Sequence, residues 1–255
     1  MKADALIHVV DISGSADIQG QPVNLGTHDP LEDIKFVEEE FDLWFKQILD
    51  REWHKLIKEI DQKRTKISEG LARRFTGLGI KESDIDKVLT SMSLKLKKPI
   101  DWSDSEIMQF LRSLRKLSKP TLIAANKADL CDDLEIIQKI SENFVTIPTS
   151  AETELLLKKA AKVGIIQYIP GDDNFKGKTT VELSEQQNNA LHLAKNVLTK
   201  IGVTGIQKIL NAIIFDTMNL IVVYPVEDES KLCNKDGQVL PDARLLHSSA
   251  TAKEL

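Results

Sequence analysis

Cysteine is scarce: Cys131 and Cys233 are the only two and stand far apart. That excludes a disulfide framework and a thiolate zinc site, and it fits a reducing compartment. No apolar run approaches the ~18 residues that a membrane span needs, and the N-terminus shows no charged-then-apolar leader pattern. The expected location is therefore cytoplasmic, with no membrane partner. A surplus of positive charge is also missing. The formal net charge of −5 provides no global drive toward nucleic acid, so sequence readout of DNA is not expected and any RNA contact would need a local basic patch. What is present is 255 residues with 42% hydrophobic and 29% charged content, enough for one large or two modest globular domains.

Ala5-Leu6-Ile7-His8-Val9-Val10 reads as a strand buried on both faces. Residues 11–29, rich in Gly, Ser, Asp and Asn, read as a long loop leaving its end. From Leu31 the apolar period becomes helical, with Ile34, Val37, Phe41, Trp44, Ile48 and Leu49 among its members, and predicts one long amphipathic helix over residues 31–71. Shorter helices are expected over 83–92 and 103–117, the latter opened by the capping-box sequence Ser103-Asp104-Ser105-Glu106. This block reads as a helical subdomain, a hairpin of long helices with solvated charged faces.

Strand character returns at Thr121-Leu122-Ile123-Ala124-Ala125, followed by a helix over 132–143, a strand over 144–148 and a helix from Glu152. Strands alternating with helices imply a parallel, doubly wound α/β sheet, into which residues 31–119 are inserted. Two further helices are expected over 184–201 and 205–218. A hairpin pairing residues 220–226 with Val239-Leu240 across Asn234-Lys235-Asp236-Gly237 comes next, and a helix is expected to begin at Thr251.

The segment that carries chemistry is Asn126-Lys127-Ala128-Asp129, directly after a buried strand, with Thr149-Ser150-Ala151 one strand later. Ligands bind at the carboxyl ends of strands in open α/β sheets, where both segments fall. Guanine offers two donors on one edge, its ring N–H and its exocyclic amine, and the Asp129 carboxylate can accept both. Lys127 can lay its stem over the base and Asn126 can tie the two loops together. The N–H near Ala151, beside Ser150, can donate to the guanine oxygen. A lone N-K-x-D is a weak pattern, and its setting is what makes it informative.

Phosphate binding would need a G-x-x-x-x-G-K-[ST] loop with its magnesium ligands, and none precedes Ala3. The lookalike from Gly171 to Thr179 has one residue too many between its glycines and places Asp172 and Asp173 where phosphates would lie, so it reads as a solvated loop. No catalytic or metal-binding residue is assigned. His8 reads as a packed histidine, and Trp44 and Trp53 as helix packing rather than a base-stacking platform.

Several stretches together resemble the YchF (Obg-like) family: Ala3-Asp4-Ala5-Leu6-Ile7-His8-Val9-Val10-Asp11, Asn126 to Asp129, Ile147-Pro148-Thr149-Ser150-Ala151-Glu152, Tyr168-Ile169-Pro170-Gly171-Asp172, and Tyr224-Pro225-Val226-Glu227-Asp228-Glu229 leading to Val239-Leu240-Pro241-Asp242-Ala243. The resemblance implies a partial P-loop-NTPase-type domain over residues 1–30 and 120–218, an inserted coiled-coil-like domain over 31–119, and the start of a ubiquitin-like TGS domain over 219–255. It also implies ribosome association and hydrolysis of GTP or ATP with magnesium. The intact Asn126, Lys127 and Asp129 resemble the archaeal branch and favour guanine. The chain is thus expected to be a fragment holding the base-reading half of the pocket, without the phosphate loop and most of the TGS domain. The alternative is a non-enzymatic module that docks on ribosomal RNA or protein.

Overall fold

The computed structural model describes residues 3–62, 65–131, 135–178, 183–227, 229–240, 242–251 and 253. Strand β1 (Leu6–Asp11) opens the chain, and the loop after it ends at Asp29, whose carboxylate accepts the Leu31 N–H and caps α1 (Pro30–Asp50). The periodic apolar stretch then divides into α1, α2 (Trp53–Asp61) and α3 (Ile67–Phe75), which corrects the single long helix expected from periodicity. The reason is burial. A straight helix would keep its apolar stripe on one line, whereas the break at Arg51 and Glu52 lets Leu49 and Leu56 both enter one core with no exposed surface.

Helices α4 (Glu82–Ser91) and α5 (Asp104–Ser118) complete this unit around Phe45, Phe75, Leu89, Phe110 and Leu114. It is a compact bundle, not a hairpin of two long helices. The capping box at α5 forms as expected, with Ser103 and Glu106 exchanging hydrogen bonds of 2.8 and 3.3 Å. Trp44 packs edge-on against Phe45 and Trp53 packs against Trp102. Arg115, only 1% exposed, bonds Asp42 at 2.8 Å and Glu38 at 2.8 and 2.6 Å, so α5 is locked to α1.

Strand β2 (Thr121–Asn126), helix α6 (Glu135–Ser141), β3 (Thr146–Pro148) and α7 (Ala151–Lys162) follow. The sheet is parallel with order β1-β2-β3. Val10, Ile123 and Ala125 pack on one face with Ile34 and Ile140, while Leu122, Ala124 and Ile147 pack on the other with Ile209 and Ile213. The parallel α/β architecture read from the sequence is therefore present. β1 itself departs from expectation, because among the described residues it pairs on one side only and Val9 is 61% exposed.

The hairpin of β4 (Ile166–Gln167) and β5 (Lys176–Gly177) encloses residues 171–175 of the glycine-containing lookalike, and its described residues 171–178 are mostly exposed. Thr179 lies outside the described residues. Helix α8 (Glu185–Ile201) precedes α9 (Ile206–Asn211), which passes into a π-helical turn at Ala212–Thr217. The last pairing is β6 (Leu220–Val223) with β7 (Arg244–His247). This corrects the expected partner Val239-Leu240: Val239 bridges Cys233 instead, closing a smaller loop over the turn at Asn234. Val239 and Leu240 are too close to that turn to reach β6. Of the helix expected from Thr251, residues 252, 254 and 255 lie outside the described set. Among the described residues no single helix is long and apolar enough to cross a membrane.

Candidate functional site

The parallel register brings the carboxyl ends of all three strands to one edge, with Asp11 opposite Asn126 and Ala125 opposite Pro148. Three loops leave from that edge. The Asn126 side chain fastens two of them, its Oδ1 accepting the Ala151 N–H at 3.1 Å and the Thr149 hydroxyl at 3.4 Å. Backbone bonds from Thr149 N–H to the Ala125 carbonyl (2.8 Å) and from Ala128 N–H to the Thr149 carbonyl (3.1 Å) make the junction double.

Lys127 takes a left-handed backbone conformation, φ 60°, which turns the chain sharply out of β2. Its ammonium donates to Asp11 Oδ2 and to Ser15 Oγ, both at 2.8 Å. Asp11 also accepts from Ser13 and Ser15. Burial pushes its carboxyl up, but the Lys127, Ser13 and Ser15 hydrogen bonds outweigh this and hold it below the usual carboxylate range.

Asp129 sits in the short turn Ala128–Leu130. Its main-chain carbonyl accepts Lys200 Nζ at 3.0 Å, while its carboxylate has no hydrogen-bond or ion-pair partner among the described residues. Asp129 lines a cleft of about 510 Å³ with Leu130, Glu152, Leu193 and Lys200. A half-buried, unpartnered carboxylate beside a rigid loop is a ready acceptor for two adjacent N–H donors.

Ser150 is buried, its N–H donating to the Thr204 carbonyl at 2.9 Å and its hydroxyl to Thr153 at 2.8 Å. Its side chain thus holds the start of α7 rather than reaching outward. The Ala151 N–H, occupied by Asn126 here, would be shared with an incoming acceptor. Asn126, Lys127, Asp129, Ser150 and Ala151 therefore converge on one edge of the sheet. Sequence reasoning missed Asp11, Ser15 and Lys200, which anchor the loop from distant positions. The signal available for Asp11 was an acid at the end of a buried strand, and for Lys200 there was none.

Residues 124–228 match the family model described as "Obg-like GTPase YGR210-like, G4 motif-containing domain". The chain is 41% identical over its whole length to an uncharacterized GTP-binding protein of Methanocaldococcus jannaschii, covering 63% of that protein. It is 30% identical to an uncharacterized GTP-binding protein of Schizosaccharomyces pombe, over 99% of this chain and 64% of that one. The crystal structure of a GTP binding protein from Pyrococcus horikoshii OT3 superposes with a TM-score of 0.78 and 37% identity, over 99% of this chain and 67% of that one.

The chain belongs to the Obg-like family.

Within this Obg-like chain, the family-model match begins at Ala124 in β2 and runs through Asn126 to Asp129, the α7 start and β6. The chain spans less than two thirds of the length of the two curated relatives it matches.

Proposed function

We propose that these residues form the base-reading half of a GTP-binding site, in which Asp129 accepts the two guanine donors, the Lys127 stem covers the base, and the loop at Ala151 meets the guanine oxygen. The observation that carries this reading is the Asp129 carboxylate, without a partner among the described residues, on a turn held by Asn126 through the Ala151 loop and by Lys200 of α8. Adenine presents no pair of donors at the matching edge, which leaves the carboxylate desolvated and unpaired and disfavours ATP.

Magnesium would accompany the phosphates of the nucleotide. Among the described residues no cluster of three His, Cys, Asp or Glu side chains fits a metal ion, and the base-reading role does not depend on one. Hydrolysis, ribosome association, a TGS-type unit from residue 219 onward and a cytoplasmic location remain parts of the same proposal. They are supported by the resemblance of the sequence stretches. The test is binding of GDP and ADP to the chain by calorimetry: preference for GDP supports the reading, and equal affinity for both removes it.

A further inference from the structure

Behind the loop that closes the candidate base site lies a buried polar cluster with no part in the roles assigned above. Glu154, in the first turn of α7, is buried, and its Oε2 accepts the hydroxyls of Tyr168 at 2.8 Å and Thr204 at 2.5 Å. Thr204 has no exposed surface, and its carbonyl accepts the Ser150 N–H at 2.9 Å. Gly205 follows at φ +79°, so close to the base loop that a Cβ there would stand 2.0 Å from the Pro148 carbonyl oxygen.

A buried carboxylate is costly unless its hydrogen bonds are made, and apolar residues of similar volume would pack the site without that cost. The cluster therefore calls for a role in orientation. Helix α7 shows what needs orienting, since its N-cap residue Ser150 makes no side-chain cap and the local sequence does not fix where the helix starts. The Thr204 carbonyl fixes it from outside. One residue on, the Ala151 N–H meets Asn126, from whose strand Asp129 hangs.

We propose that Thr204 is a positioning residue for base selection: Glu154 and Tyr168 hold its hydroxyl, its carbonyl holds Ser150, and the Ala151 N–H is thereby kept in register with Asp129. This inference rests on the base-reading proposal. Burial and the hydrogen bond to Glu154 push the Tyr168 phenol up to about 12, so it stays a donor at any physiological pH. Discrimination depends on this register because both edges of the base must be met at once. A loop that drifts by a fraction of an ångström weakens guanine while leaving adenine, which uses neither contact, unaffected.

The test uses the whole chain with guanosine and adenosine as probes, titrated by saturation-transfer NMR, together with amide exchange at Ser150. Thr204→Val is expected to lower the guanosine-over-adenosine preference by about tenfold, the worth of one well-made hydrogen bond. It should speed Ser150 exchange and leave Ala124 exchange in the central strand unchanged. Thr204→Ser, which keeps the hydroxyl, restores both. Tyr168→Phe gives the same pattern to a smaller degree and carries the test if Thr204→Val does not fold. A folded variant with the parental preference, or one that loses both nucleosides equally, overturns the positioning role. A parent that binds the two nucleosides equally overturns the base-reading proposal instead, and this inference with it.

Discussion

The ammonium of Lys127 lies 2.8 Å from Asp11 Oδ2, joining two loops that are far apart in sequence. The lysine proposed to cover the base is thus anchored by the loop after β1. Because the Asp11 carboxyl is held below its ordinary 3.8, its stabilising contribution is present above that value and is lost as pH falls through the folded-state value. Lys127 is 41% exposed, so solvent screening limits the pair to about 1 kcal/mol or less. Asp11→Asn should cost that amount in urea unfolding at pH 7, with parent and variant converging in acid. A constant gap across the pH range would refute the ion-pair account.

Asp129→Asn replaces one acceptor oxygen with an amide donor. Xanthine carries a carbonyl where guanine carries its amine, so the variant should lose guanosine and gain xanthosine, each by about tenfold or more. Competition between the two nucleosides in one NMR titration measures this directly, and an unchanged ranking would remove Asp129 from base selection.

His28 Nε2 lies 2.8 Å from Asp33 Oδ1, and this hydrogen bond raises the imidazole above its ordinary 6.5 against the opposing effect of burial. A raised folded-state value means that the stabilisation is complete below 6.5 and fades as pH climbs through the folded value. The loop fastened beneath His28, where the Gly26 N–H bonds the Ser13 carbonyl at 2.8 Å, should therefore show an inflection above 6.5 where its protection, measured against the intrinsic exchange rate, falls. His28→Gln should show no such inflection.

Arg115→Ala would leave Glu38 unpaired and Asp42 with Arg112 alone. Removing one partner of a buried ion cluster costs about 3 kcal/mol, a loss that denaturant unfolding followed by tryptophan fluorescence would register. A cost below about 1 kcal/mol would show that the cluster is replaceable packing.

The α/β sheet was legible because strands β2 and β3 lie in apolar runs between turn residues, and the placement of the five candidate residues at one sheet edge because their motifs follow strands directly. The break between α1 and α2 was not. Arg51 and Glu52 are ordinary helix formers, and only the demand that Leu49 and Leu56 share a core bends the chain there. The partner of β6 was misplaced for a related reason: Asn234 to Gly237 does form a turn, yet the strand that returns starts only at Arg244. The anchors Asp11, Lys200 and Thr204 escaped notice because their contacts span from about fifty to over a hundred residues and no local spacing encodes such pairs.

The pairing of Leu6 with Thr121 also bears on the order of events during folding. Closing a flexible loop on the order of a hundred residues long costs about 4 kcal/mol in chain entropy before the first rung of the sheet forms. If the helical bundle has already condensed, the Arg115 clamp between α1 and α5 delivers both strands to one place, and that entropic barrier largely disappears. The insertion then acts as a scaffold for assembly, and damage to its core should slow refolding of the sheet as well.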